Sequence, residues 1–269
     1  MNTLGDVRLT TGTRFRLIVD DEGDGRWNMA VDEALLESVE QGGSPVVRLY
    51  GFAPPTLSLG RFQKSEGLVD FRRLADDGMR YVRRPSGGQA VLHTGELTYA
   101  FLIGKSHLEP YGKRHVYRFI APLLIAGLEG IGVTGTNASP VRRGDPHYPD
   151  CFASTGEYEI DSQEGRKLVG SAQMVTRGAV LQHGSIPITS DNRNIANYLS
   201  GLNSAEEHAG HMGGELGRIP QYDQVRAAYV AVLSEALPVD MDRLSAKERN
   251  RAEELLKCKY ETDEWNRSY

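Results

Sequence analysis

Cysteine is scarce in this chain of 269 residues: only Cys151 and Cys258 occur. A disulfide-built scaffold is thereby excluded, and a reducing, cytoplasmic setting is the expectation. Long hydrophobic runs are missing too. The most apolar stretch, Phe119 to Val133, is broken by Pro122 and Glu129 and is too short to cross a bilayer. Met1-Asn2-Thr3-Leu4-Gly5-Asp6 has neither the cationic nor the apolar region of a secretory signal. There is no excess of positive charge. The net charge of −5 builds no global field for nucleic acid, and neither nucleic acid nor membrane is expected as a partner. The chain has no Walker A loop, no GxSxG and no HExxH or CxxC. The common nucleotide-binding, serine-hydrolase and zinc readings therefore lack support. His147 with Cys151, and His208 with His211, are too weakly patterned to predict a metal.

What is present is an ordinary globular composition, 39% hydrophobic and 25% charged. Helical periodicity predicts a helix from Asn28, as N-cap, to Glu40, closed by Gly42-Gly43. Further helices are expected near Asp70–Asp77, over Val116–Ile131, and at Asp223–Ala236 and Ser245–Lys259. Ser245-Ala246-Lys247-Glu248 is a capping box. Strands are expected at Arg16–Val19, Val46–Tyr50, Thr56–Leu59, Arg80–Arg83 and Leu97–Ile103. Glu157–Ile160 and Lys167–Gly170 read as a hairpin, and Ala179–Ile188 as one or two strands. Residues 1–14 read as a flexible lead-in and Ser204–Pro220 as a long mobile loop. Hairpins outnumber βαβ units, so the fold class is α+β: a mostly antiparallel or mixed sheet with helices packed on it. One domain over 1–269 is expected, with its 223–269 helices packed against the rest.

The most informative stretch is Arg83-Arg84-Pro85-Ser86-Gly87-Gly88-Gln89-Ala90-Val91-Leu92-His93. Pro85 biases Arg84 towards extended backbone, and Gly87 and Gly88 permit positive φ and close approach to a ligand. Val91 and Leu92 form a strand with His93 at its end. Such a loop suits an activated acyl group or its carrier. Cys151 is either a small buried hydrophobe or a nucleophile needing a cationic neighbour. Lys167, in Gly165-Arg166-Lys167-Leu168-Val169-Gly170-Ser171-Ala172-Gln173, is either an exposed hairpin cation or a charge aimed into a pocket. His93 and His183 are each more often structural than catalytic in such strand positions. Cys258 reads as structural or exposed.

Together these segments resemble the biotin/lipoate protein ligase and octanoyltransferase superfamily, over roughly residues 14 to 269. Asn28–Leu36 is similar to the family's first helix, Pro55–Gln63 to its next strand and turn, and Lys259–Asn266 to its closing segment. Within the superfamily, ligases activate lipoate with ATP, whereas octanoyltransferases pass octanoate through a cysteine. Ligases typically carry a third glycine where Gln89 stands, and an aspartate where Thr94 stands. Thr94 also departs from the aspartate common in the transferases and is given no role.

Cys151-Phe152 followed by Lys167 resembles the cysteine-dependent octanoyltransferases of the ligase-like branch. The resemblance implies a nucleophilic Cys151 with Lys167 beside it. It also implies an acyl site from Arg84, Ser86, Gly87, Gly88, Gln89, Val91, His93, Gly170, Ser171, Ala172 and His183, with Tyr99 helping to form the tunnel. No metal or cofactor is implied. The implied donor is octanoyl-acyl carrier protein; the acceptor is a lipoyl domain of a 2-oxoacid dehydrogenase or glycine cleavage H protein. Lys167, a water or His93 are the candidates to take the acceptor lysine's proton. A basic rim of Arg83, Arg84, Arg142, Arg143 and Arg166 is expected to meet the acidic carrier, and a monomer is expected. The competing readings are an ATP-dependent lipoate ligase, an octanoyl amidotransferase between lipoyl domains, and a non-catalytic acyl-carrier-binding module.

Overall fold

The computed structural model describes residues 3–4, 7–137, 149–153, 159–201 and 209–268. Its centre is an eight-stranded sheet. The order is Gly135–Asn137, Ile160–Ser162, Lys167–Val175, Ala179–Pro187, Glu96–Gly104, Val46–Phe52, Phe15–Gly23 and Val239–Asp242. The first five junctions are antiparallel and the sixth and seventh parallel, so the sheet is mixed but mostly antiparallel. Ala179–Pro187 is one strand, and every residue of it pairs with Glu96–Gly104.

Both faces of the sheet are covered. Tyr99, Phe101 and Ile103 point into a core shared with helices Lys113–Glu129 and Tyr222–Ala236. Ala100 and Leu102, one residue out of phase, point into a second core with helix Gly25–Glu40 and helix Ala246–Leu255. The period of two thus sorts one strand's side chains into two layers. Pro122 is accommodated inside the Lys113–Glu129 helix. Gly127 is needed there because a Cβ would lie 2.3 Å from the Tyr229 ring.

A smaller sheet orders Arg80–Arg83, Thr56–Leu59 and Val91–His93, parallel and then antiparallel. It carries the glycine-rich loop, whose Ala90 bridges Asp150 beside Cys151.

Several expectations change. The first helix starts at Gly25, because Asp24 caps it by accepting from Arg26 N at 2.8 Å. Asn28 instead lies within the helix, donating to the Gly51 carbonyl at 2.8 Å. Residues 7–9 are a strand paired with Leu108–Glu109, and Val7 is fully buried, so the lead-in is anchored. Of the anticipated loop, residues 204–208 lie outside the described residues. Beyond them Ala209 and Met212 are buried and Met212–Leu216 is helical. The closing helix ends at Leu255 and continues as one wider turn, Leu256–Tyr260. Val239–Asp242 was not expected as a strand. It sits at the sheet edge and is largely exposed, so it lacks an apolar signal.

Candidate active site

Cys151 opens a short helical turn, Cys151–Ala153, fixed to the glycine-rich loop by backbone bonds. Ala90 N donates to the Pro149 carbonyl and Cys151 N to the Ala90 carbonyl, both at 2.9 Å. The motif loop and the cysteine are thereby one rigid unit.

Lys167 begins its strand and is buried. Its Nζ donates to the Cys151 carbonyl at 2.8 Å and to Glu159 Oε1 at 2.7 Å, and lies 3.8 Å from Cys151 Sγ. Burial alone would lower the basicity of this amine. Cys151 and Glu159 outweigh burial and hold it above the usual lysine range. The lysine does not sit exposed at the hairpin turn. Its neighbour Arg166 does point outward, to Glu164 and Glu215.

A cavity opens beside the sulfur, with about 380 Å³ of empty space counting the solvent at its mouth. Of the expected residues, Arg84, Val91, His93, Cys151, Gly170, Ser171, Ala172 and His183 line it. One wall is the strand pair in which Gly170, Ser171 and Ala172 face Ser185, Gly184 and His183. Glycine is required at 184, since a Cβ would stand 2.5 Å from the Gly170 carbonyl oxygen. Met29, Tyr50 and Phe52 complete the lining from the first helix and the Val46–Phe52 strand.

Other expected residues sit elsewhere. Ser86 is buried behind the cavity, its Oγ 2.5 Å from His183 Nε2. Gly87 and Gln89 offer their carbonyls to Arg84 at 2.8 and 2.7 Å. Only Gly88 of the two loop glycines has positive φ, +92°. Tyr99 belongs to the core, and its hydroxyl meets Ser171 Oγ at 2.7 Å. The basic rim must also be revised: Arg142 and Arg143 lie outside the described residues, and Arg83 and Arg84 are buried. Arg83 binds the carbonyls of Gly60, Gln63, Trp265 and Ser268. Arg84 reaches Ser58 and the two loop carbonyls, all neutral groups, and burial lowers its pKa.

Both cavity histidines are engaged at both nitrogens. His93 Nδ1 meets Glu96 Oε1 at 2.6 Å and its Nε2 meets Ser58 Oγ at 2.8 Å, with the ring stacked on Phe52 at 4.0 Å. His183 Nδ1 meets Asp32 Oδ2 at 3.0 Å. Burial pushes His183 below its usual pKa despite Asp32. Asp32 in turn receives Arg48 at 2.9 Å and the Tyr50 hydroxyl at 2.9 Å. Burial opposes its charge, but His183 and Arg48 outweigh that and hold it below the usual range. Asp32, Arg48, Ser58, Glu96 and Glu159 escaped the sequence reading. A lone arginine inside Val46-Val47-Arg48-Leu49-Tyr50 was the one available signal, because a buried cation needs partners.

His147 and His208 fall outside the described residues. Among the described residues no three His, Cys, Asp or Glu side chains cluster as metal ligands. No described helix is long and apolar enough to cross a membrane.

The two-sided sheet, the small sheet carrying the glycine-rich loop, and a cavity between them define a lipoate-ligase-type catalytic domain. Solved lipoate-protein ligases share the architecture. A lipoate-protein ligase A bound with ATP superposes with TM-score 0.78 at 25% identity, covering 95% of this chain and 98% of that one. A putative lipoate protein ligase of T. acidophilum gives 0.79 at 25% identity, covering 96% and 100%. Residues 24–234 match the Lipoyl protein ligase A/B catalytic domain, and the chain belongs to that family. Relatives named Octanoyltransferase LipM include one from Kyrpidia tusciae, 38% identical over 94% of this chain and 98% of its own length. Another, from Carboxydothermus hydrogenoformans, is 37% identical over 93% and 97%.

Proposed function

We propose that this protein is an octanoyltransferase of lipoate biosynthesis. It takes octanoate from octanoyl-acyl carrier protein and delivers it to a lysine of a lipoyl domain or glycine cleavage H protein. The observation that carries this reading is the Lys167 ammonium 3.8 Å from Cys151 Sγ at the edge of a largely apolar-lined cavity. The relatives named Octanoyltransferase support it.

In the first step Cys151 sulfur attacks the donor carbonyl, the donor thioester bond breaks, and the carrier leaves as a thiolate. A thioester replaces a thioester, so no nucleotide enters. In the second, the acceptor amine attacks the acyl-Cys151 carbonyl, the amide forms, and Cys151 sulfur is released. Splitting the transfer lets two carrier proteins use one site in turn. Lys167 supplies positive charge to the sulfur and to the oxyanion of each tetrahedral intermediate. Arg84, a buried cation bound only by neutral partners, adds to the same field. The acyl chain lies against Val91, Ala172, Met29 and Phe52, each buried methylene contributing about 0.8 kcal/mol. We place the enzyme in the cytoplasm, a reading supported by its scarce cysteines, and take it to act as a monomer.

Incubation with octanoyl-acyl carrier protein without ATP should give a hydroxylamine-labile octanoyl adduct by intact mass. Cys151→Ser should abolish the labile adduct and transfer while keeping the fold. Absence of the adduct on the wild type, with ATP-dependent lipoylation in its place, would refute the transferase.

A further inference from the structure

Proton transfer to and from the reacting amine needs a group whose own protons are free to move. The two cavity histidines do not qualify, because His93 is held between Glu96 and Ser58, and His183 between Asp32 and Ser86. Lys167 is the remaining basic side chain in contact with Cys151. An ammonium has three N–H donors. Nζ donates to the Cys151 carbonyl and to Glu159 Oε1 and lies 3.8 Å from the sulfur. Two accepting oxygens fix both the position and the charge of the nitrogen.

We infer that Glu159 is a positioning residue that makes Lys167 a permanent ammonium, an electrostatic anchor for sulfur and oxyanion, and not a proton shuttle. This rests on the acyl-Cys151 reading. Lys167 then begins and ends each half-reaction with three protons. The departing carrier thiolate takes its proton from water, and the acceptor amine releases its proton to water at the cavity mouth. Cys151 leaves as a thiolate beside an unchanged cation, and every step balances in atoms and charge.

The surroundings support this division of labour. Facing Lys167 are Cys151 and Asp150 from the preceding segment, Glu159 from the approach to the Ile160–Ser162 strand, and the Phe152 ring at 5.4 Å. Glu159 is itself mostly buried, so its charge acts through a poorly screened path. Cys151 and Glu159 together oppose the burial of a lysine that is 1% exposed, and once the sulfur is acylated its charge is gone, leaving Glu159, with Asp150, to keep the amine from its neutral form. The carboxylate holds the nitrogen charged where burial alone would discharge it.

The test compares wild type, Glu159→Gln and Glu159→Asp. Protein carrying carbon-13 lysine, with Lys167 assigned by Lys167→Arg, reports the protonation of Nζ through its ε-carbon shift. The ammonium is expected to persist in the isolated octanoyl-enzyme. In Glu159→Gln the Lys167 titration should fall by at least about one pH unit. The alkaline limb of octanoyl transfer should fall with it, costing at least about tenfold in rate at a pH between the two titrations. Glu159→Asp should restore most of both. A neutral Lys167 in the wild-type octanoyl-enzyme would overturn the inference. So would a Glu159→Gln profile that differs from wild type in amplitude alone. If the wild type forms no octanoyl-enzyme, the transferase reading fails, while the Lys167 titration in the free enzyme still decides what Glu159 does.

Discussion

Gly60 stands so close to Gly88 that a Cβ on Gly60 would lie 1.7 Å from the Gly88 carbonyl oxygen. The turn after the Thr56–Leu59 strand and the glycine-rich loop therefore touch backbone to backbone. The adjacent bond, Arg61 N to the Ser86 carbonyl at 2.9 Å, locks the same contact. Gly60→Ala should force the loop away and carry Cys151 with it through Ala90. We expect at least a hundredfold loss of transfer, since small misplacements of reacting groups cost about that much. Gly87→Ala, with nothing within 4 Å of its Cβ, should stay near wild type. Parallel transfer assays on the two variants check this, and equal damage in both would contradict the packing argument.

Arg84 spreads its guanidinium over Ser58 and the carbonyls of Gly87 and Gln89. Lysine cannot span these acceptors, because it lacks the planar fork. Arg84→Lys should slow acylation of Cys151 by roughly ten- to a hundredfold, a loss of up to about 3 kcal/mol typical of hydrogen bonds to charged groups. Single-turnover acylation followed by mass spectrometry is the measurement, and an unchanged rate would assign Arg84 to scaffolding alone.

Met29 borders the cavity and is 2% exposed. Met29→Ala should enlarge the acyl site and shift preference towards longer chains, with each extra buried methylene contributing about 0.8 kcal/mol. The fold should lose about 2 to 3 kcal/mol through the cavity created. Competition between octanoyl and decanoyl donors reads out the first effect and urea denaturation the second. Unaltered chain-length preference would place the acyl chain elsewhere.

Arg16 binds Glu248 at 2.6 Å, joining the sheet edge to the capping box of the Ala246–Leu255 helix. Burial opposes the Glu248 charge, but the Arg16 and Ser245 bonds prevail and draw its pKa from 4.5 down to about 2. A carboxylate depressed in the folded state stabilises fully above its unfolded value, and that contribution fades as pH falls through the folded value. Glu248→Gln should therefore destabilise the protein by about 2 kcal/mol at pH 7 and flatten the decline in stability between pH 4.5 and 2. Denaturation curves across that window check both. An undiminished slope in the variant would remove Glu248 from acid unfolding.

Much of the fold was legible because its strands alternate regularly and its helices carry local caps. Arg80–Arg83, Thr56–Leu59 and the Ser245 box are set by residues a few positions apart. The site was legible only where chemistry left a local pattern, as in Arg84 to His93. The Cys151–Lys167 contact came from resemblance, since a spacing of sixteen residues across a sheet edge encodes no proximity. His183 and Asp32 are 151 positions apart, and nothing near either announces the other. The arginine-rich motif also misled: its cations looked like a surface, yet Arg83 and Arg84 are spent on backbone carbonyls inside the molecule.

Arg83 bears on how this enzyme comes into being. Its guanidinium gathers the carbonyls of Gly60 and Gln63, which flank the glycine-rich loop, with those of Trp265 and Ser268, made 182 and 185 residues later. A ribosome that has already emitted Cys151 and Lys167 has not yet emitted the groups that satisfy this arginine. The nascent chain thus carries Cys151 for more than a hundred codons before the clasp behind it can close. Closure of the frame around the glycine-rich loop waits on synthesis of Trp265 and Ser268, and a translation product interrupted before them would carry Cys151 and Lys167 without that clasp.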